Sequence, residues 1–355
     1  MGGTRQEFRR TRELPLRQRC PRPRRPGPAR GRTRSMNGEF DLIDLIVTTL
    51  GTTATRDGVV VGPGDDAAVL ALPPDHELVV STDSLVADRH YPAGACADAI
   101  GYRSLAVATS DLAAMGAQPA YATVALTSPE LAADWAKRYA KGLAQAAQAF
   151  GMAIVGGNLA RGPETVTVTV FGHVPRSTAI IRSGARPGHT LYVTGALGGA
   201  GLALGDETLS ECSLAALEPS STDPASPLAR YWKPQPRIAV GVDLRGVASA
   251  AIDISDGLSA DLGHLCRASA LDCDVDLARL PLCPGAEPAV AASAGDDYEL
   301  AFTAPPELRD AVRDIAGRTG VAITPICTVR ESTGAGVRWF RDGTAVNVAA
   351  GFHHF

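Results

Sequence analysis

Aspartate closes the apolar runs of this sequence, and that habit constrains the chain more than any other feature. GPGDDAAVL (62–70) follows GVVVG, STDS (81–84) follows HELVV, and TSDL (109–112) ends an Ala-rich stretch. AIDISDGL (251–258) carries two more acids, and GDD returns at 295–297. Loop geometry at the ends of strands and helices exposes side chains, so a fold built on these runs presents carboxylates at its loops. No Lys or Arg stands within five residues of Asp65 and Asp66 on either side. Adjacent like charges cost free energy unless positive charge lies close by. The positive partner has to come from elsewhere.

Between the acids, hydrophobic period predicts the elements. FDLIDLIVTTL (40–50), the stretch from Cys96 to Met115, and LAADWAKRYAKGLAQAAQAFG (131–151) have helical spacing, the last closed by Gly151. HELVVSTDS (76–84), AYATVALTS (120–128) and ETVTVTVFGHV (164–174) read as strands, and AIVGGNLARG (153–162) as a strand followed by a glycine loop. A second half repeats the mixture. It has strand, turn and helix over 189–204 and again over 249–269, a helix over 236–248, strands at 273–282 and 295–304, and a helix over 307–320. Residues 206–229, rich in Ser, Pro, Glu and Ala, read as a surface loop. The expectation is two α/β domains, 36–178 and 179–355, after a leader of residues 1–35.

Residues 1–35 hold 12 Arg, no Lys and two acids, Glu7 and Glu13, leaving 22 basic and 36 acidic residues in 36–355, a net charge of −14. An acidic body argues against nucleic acid as the main partner. The leader lacks the apolar centre of a secretory signal. It reads as a disordered extension, a basic arm, a transit-like segment or a misassigned start before MNGEFDLIDLI. No apolar run is long enough to span a membrane. The seven Cys form no C-x-x-C pair, so neither a zinc site nor a disulfide framework is suggested, and a cytoplasmic location fits.

Asp66, Asp83, Asp111, Asp253 and Asp256 are oxygen donors without accompanying His or Cys, and Ser81, Thr82 and Ser255 add hydroxyls. Hard oxygen sets of this kind suit Mg²⁺, which commonly bridges carboxylates to substrate phosphates. Asp, Ser and Gly also recur at caps and turns for local reasons. Five sites of one style favour the metal. The three lysines, Lys137, Lys141 and Lys233, lie outside glycine loops, and no G-x-x-x-x-G-K-[ST] occurs. Arg161, after GGN, is the side chain best placed to fork to a phosphate, or else a surface arginine. GALGGAGLALG (195–205) fails the dinucleotide spacing and reads as helix-start packing. His90 is a loop histidine or a substrate contact. Trp135 and Tyr139 lie on an Ala-rich helix, where core is the common role.

Taken in order, GDD, STDSLVADRHY, SLAVATSDLAAMGAQP, GGNLARGP, RSGARPG, AIDISDGLSADLGH and GDDYEL resemble the thiamine-monophosphate kinase family, from GEFDLI at 38–43 to HF at 354–355. The resemblance implies transfer of the ATP γ-phosphoryl group to thiamine monophosphate. It also implies the two-domain α/β fold of aminoimidazole ribonucleotide synthetase, with N-terminal sheets paired in a homodimer. It makes Asp66, Ser81, Thr82, Asp83, Asp111, Asn158, Asp253 and Asp256 ligands of several Mg²⁺ ions. Tyr139, Gly157, Asn158, Arg161 and Ser255 become ATP contacts, and His90, Asp296 and Phe352 become thiamine-phosphate contacts. Two departures stand out. Asn158 replaces the family's usual Asp, and Asp296 stands where Glu is common. Two other readings stay open: a non-catalytic binder disabled at Asn158, and another ATP-dependent synthetase of the superfamily. A selenophosphate synthetase would need an early Cys with a nearby Lys, and the only early Cys is Cys20, in the leader.

Overall fold

The computed structural model describes residues 38–217, 226–334 and 336–352; the expected leader, 1–35, lies outside them. The described residues belong to one unit, Asn37–Phe355. Its elements, in chain order, are α1 (Glu39–Leu50), β1 (Val59–Val61), β2 (Val69–Leu70), β3 (His76–Val86), α2 (Ala97–Ala114), β4 (Gln118–Ser128), α3 (Ala133–Phe150), β5 (Ala153–Arg161) and β6 (Thr165–Pro175). They continue with β7 (Thr190–Thr194), α4 (Gly199–Ala203), α5 (Pro227–Trp232), α6 (Ile238–Asp243), β8 (Ala250–Asp253), α7 (Leu258–Ser269) and β9 (Leu271–Asp276). The last are α8 (Pro288–Ser293), β10 (Leu300–Ala304), α9 (Arg309–Thr319), β11 (Ile323–Glu331), β12 (Val337–Arg341) and β13 (Thr344–Val346).

Among the described residues these strands form three sheets. β1 and β2 form a two-stranded ribbon, β3-β6-β4-β5 a four-stranded sheet, and β13-β12-β9-β11-β7-β10-β8 a seven-stranded sheet. Strict alternation in β6 explains the second sheet. Val166, Val168, Val170 and Val174 are fully buried under the helices, while Thr165, Thr167, Thr169 and Phe171 face the other way.

α2 joins the two halves. Sixteen of its 18 residues are buried, so it is packed on all sides, as its Ala-rich composition allows. Small residues let it approach α3 closely. A Cβ on Gly101 would sit 2.2 Å from the Tyr139 carbonyl, and one on Gly142 1.8 Å from the Asp98 carbonyl. Further along, Ala113 and Ala114 pack with Tyr192, Phe302 and Val312 of the second half. The same helix thus begins in one core and ends in the other.

Two expectations about loops are corrected. GGNLAR does not form a glycine loop; it continues β5 as an edge strand, paired in parallel with β4. Residues 206–217 are not a surface loop either. Leu209, Cys212, Leu214 and Leu217 are buried, and the indole of Trp232 donates to the Leu209 carbonyl at 2.8 Å. Residues 218–225 of that expected loop lie outside the described residues.

Candidate functional site

The pleat of β3 sorts the STDS motif onto two faces. Ser81 and Asp83 point to the helix side, in register with buried Val170 and Val168. Thr82 and Ser84 point to the open side, where their hydroxyls pair with Thr169 at 3.0 Å and Thr167 at 2.8 Å. Asp111, in the last turn of α2, accepts a hydrogen bond from the Ser81 hydroxyl. Asp253 ends β8 and is 4% exposed. Asp256 follows in the turn before α7.

These four carboxylates form one electrostatic group. Burial pushes the Asp83 carboxyl up to about 6, and Asp111 and Asp256 add to the rise. Burial raises Asp253 well above the ordinary carboxylate range, with Asp111, Asp261 and Asp83 reinforcing it. Among the described residues, no salt bridge reaches any of the four. Nor do three His, Cys, Asp or Glu side chains among those residues converge into a closed metal shell. The donor chemistry nevertheless fits Mg²⁺. The ion needs only one or two carboxylates, takes the rest of its octahedron from water and substrate phosphate, and relieves the mutual repulsion of the acids.

Asp261 was not anticipated. It lies in the first turn of α7, and its Oδ2 accepts from the backbone N–H of Ser255 at 3.1 Å and of Asp256 at 3.2 Å. Burial, then Asp256, pushes its carboxyl up to about 7. It braces the turn that carries Asp256. An acid in the first turn of the helix after SDG was the available signal.

A second group surrounds GDDYEL. Asp296 and Tyr298 have positive φ of 69° and 49°, a conformation that costs non-glycine residues free energy and sends successive side chains apart. The Asp296 carboxylate takes hydrogen bonds from Arg103 at 2.5 Å and from the Tyr298 hydroxyl at 2.9 Å. Asp297 accepts from the Gly198 amide, and burial pushes it up to about 7. Glu299 is 1% exposed and is held by Arg237 and by the Thr194 hydroxyl at 2.6 Å. Asp296 connects to the carboxylate turn as well, because its N–H donates to the Ser255 carbonyl at 2.8 Å.

His90 and Phe352, far apart in sequence, come together. Their rings are 6.2 Å apart, and the Arg89 guanidinium lies 5.9 Å from the Phe352 ring. The Phe352 N–H donates to the Asp256 carbonyl at 2.9 Å, so the C-terminal segment is tied to the carboxylate turn. The backbone N–H of Val86 donates to His90 Nδ1 at 3.0 Å.

The other expected residues are not drawn in. Tyr139 is packed in the core: it is 1% exposed, its ring stacks on Trp135 and its hydroxyl pairs with Ser104 at 3.2 Å. Register places Asp83 in one row with Val168, Val124 and Gly157, and Ser84 with Thr167, Ala125 and Asn158. Asn158 thus lies on the open face of the sheet and on its far edge strand. Three strand spacings, roughly 14 Å, separate that edge from β3. Within one chain, Asn158 does not join Asp83 around a single ion, and the Thr82 side chain is likewise turned away. A Cβ at Gly157 would sit 2.0 Å from the Val124 carbonyl, so glycine there serves the strand pairing. Arg161 is exposed, and its Nε donates to the Pro129 carbonyl at 3.0 Å. Asp66 is exposed in a bend, its N–H bonded to Asp65 at 3.0 Å, with no contact to the carboxylate group among the described residues.

Comparison with known proteins gives the family. Residues 64–174 match the family described as AIR synthase related protein, N-terminal domain, and residues 186–340 match its C-terminal domain. The thiamine-monophosphate kinase of Salmonella typhimurium is 39% identical over 330 residues, covering 90% of this chain and 98% of its own. The solved thiamine-monophosphate kinase of Stenotrophomonas maltophilia K279a superposes with a TM-score of 0.75 at 38% identity, over 87% of this chain and 98% of that one. A structure of AaThiL complexed with AMPPCP and TMP superposes with a TM-score of 0.66 at 29% identity, over 90% and 97% of the two chains. With two matched domains and 39% identity over 90% of its length, the chain belongs to the thiamine-monophosphate kinase family.

Proposed function

We propose that this protein transfers the γ-phosphoryl group of ATP to thiamine monophosphate, producing thiamine diphosphate in one direct step. The observation that carries the reading is the group formed by Asp83, Asp111, Asp253 and Asp256, acids from both halves, Asp253 buried and the other three half-buried, with no salt bridge to any of them among the described residues. Such a group is unfavourable by itself and is explained by a divalent ion.

The acceptor is a phosphate oxygen, already ionised near neutral pH because a second phosphate pKa lies near about 6. No general base is then required, in keeping with the lack of a nucleophile and base pair at the site. Bringing two anions together is the obstacle, and positioning with charge neutralisation removes most of it. Bound Mg²⁺ would supply that neutralisation at the phosphates. The chain's own work is to hold the reactants. Asp83 and Asp111 offer carboxylates from the first half and Asp253 and Asp256 from the second, while the Ser81 hydroxyl orients Asp111. Asp66 and Asn158 would complete further metal contacts, Thr82 through its backbone carbonyl. Gly157, Arg161 and Ser255 would hold ATP. His90, Phe352 and Asp296 would hold the thiamine end, with rings for stacking and a carboxylate for its cation.

Working boundaries of 36–178 and 179–355 assign one half of the carboxylate group to each domain. We also propose a homodimer that pairs the open faces of the four-stranded sheets. Leu78 and Val80 on that face are 50% and 49% exposed, unusual for strand residues of this size. No described helix is long and apolar enough to cross a membrane; a cytoplasmic site of action is proposed.

Asn158 favours one rival, a binder that no longer turns over. The deciding assay is thiamine diphosphate formation from thiamine monophosphate, ATP and Mg²⁺, with EDTA and Asp83→Asn as controls. Product that vanishes in both controls supports the kinase. ATP binding by folded protein without any product supports the binder.

A further inference from the structure

Arg103 is the most enclosed cationic side chain among the described residues: 1% exposed, in the middle of an apolar helix, where an arginine needs a strong reason. One of its amino groups donates to the Tyr231 carbonyl at 2.5 Å, and the other to Asp296 Oδ1 at 2.5 Å. Its guanidinium carbon lies 4.0 Å from the centre of the Tyr231 ring and 5.8 Å from that of Tyr298. The Tyr231 hydroxyl donates to the His90 carbonyl at 2.8 Å. A continuous buried chain therefore runs from His90 through Tyr231 and Arg103 to Asp296, with Tyr298 closing on the same Asp296 oxygen.

We infer that Arg103 and Tyr231 are positioning residues that set the distance between His90 and Asp296, and so select the thiamine end of the acceptor. The inference rests on the kinase reading above. Neither residue reaches the substrate, since both are sealed behind the residues that do. The Asp296 oxygen that takes Arg103 and Tyr298 is occupied. Its second oxygen carries no protein hydrogen bond among the described residues and is left for the ligand. Arg103 lies eight residues before Asp111 on α2, about 12 Å along the helix axis. One rigid helix thus spaces the metal end of the site from the acceptor end. Lysine cannot replace this arginine, because a point charge lacks the fork needed to bind Asp296 and the Tyr231 carbonyl together.

The test uses full-length protein and steady-state kinetics for each substrate. Tyr231→Phe removes only the hydroxyl that holds His90 and keeps the ring against Arg103. Arg103→Lys keeps the charge and loses the fork. Both should raise KM for thiamine monophosphate about tenfold while KM for ATP changes less than about twofold. Arg103→Lys added to Asp296→Asn should do little further harm, because residues acting through one another are non-additive. Equal rises in both KM values, or additive losses, would overturn the inference. If Arg103→Lys does not fold, Tyr231→Phe decides alone: a selective rise supports it and an unchanged KM overturns it. Wild-type protein without thiamine diphosphate formation would overturn the kinase reading and this inference together. Wild-type turnover with unselective variants overturns the inference alone.

Discussion

Two groups of aspartates occupy opposite environments in this molecule. At the junction of the halves, Asp83, Asp111, Asp253 and Asp256 act on one another with no salt bridge to any of them among the described residues, and burial and mutual repulsion push Asp83 and Asp253 up. In the seven-stranded sheet, Asp272 is fully buried but accepts from the Thr333 and Gly336 amides, both at 2.7 Å, from the Ser332 and Thr333 hydroxyls, and from Arg330. Asp274 beside it is paired by Arg330 and Arg338. Hydrogen bonds hold Asp272 well below the usual carboxylate range, and Arg338 holds Asp274 below it. The same side chain has its charge answered by the protein in one place and left to a ligand, on the proposed reading, in the other. A carboxyl whose charge the protein does not answer either takes up a proton or is answered by a ligand.

The largest effect should come from removing one charge from the unpaired group. Asp83→Asn should lower kcat at least about 100-fold while raising the melting temperature in metal-free buffer, an opposition typical of active-site acids. A variant that is both inactive and less stable would break the comparison. Asp272→Ala should do the reverse. It strands the Thr333 and Gly336 amides and leaves Arg330 with Asp274 alone, so the melting temperature should fall by several degrees while turnover per folded molecule stays near wild type. Calorimetry with active-site titration checks both.

The pH dependence sharpens the contrast. Asp83 and Asp261 bind protons more tightly in the folded state. Their contribution is full below the ordinary value of 3.8 and is lost as pH rises through about 6 and about 7. Asp272 and Asp274 have depressed folded values, so their contribution is present above 3.8 and is lost only as pH falls below it. Metal-free protein should therefore lose stability between about pH 4 and pH 7, and Mg²⁺ should restore more of it at the upper end. Thermal scans with Mg²⁺ or EDTA read this directly. A profile unchanged by Asp83→Asn would assign the loss to other groups. The smallest effect is expected at Asn158→Asp. A carboxylate in place of the neutral carbonyl oxygen would strengthen one metal contact rather than create it, so turnover should change by less than about threefold. Recovery from near zero would instead identify a disabled binder.

Much of the scaffold was legible because its signals are local. The alternation of ETVTVTVF and the helical period of the Ala-rich segment marked β6 and α2 to within a few residues. Glycine misled at 156–157, where flexibility suggested a loop but close strand pairing explains both the glycine and the strand. Phe352 and His90 were named as substrate contacts by resemblance, yet nothing in their local sequence announced that their rings meet. Arg103 carried a signal that went unread: a lone guanidinium within an apolar helix must have a buried partner.

The sequence by itself determined where carboxylates would stand, because strand and helix ends follow from short-range pattern, and it determined the family through the order of its motifs. Only the tertiary structure decided which of those acids share a space. Asp83, Asp111 and Asp253 meet because α2 docks against β3 on one side and β8 on the other. Asp272, with the same side chain, is matched by donors arriving from more than fifty residues downstream. Charge is a property of the residue, but whether it is opposed or compensated depends on neighbours that the chain brings in from a distance.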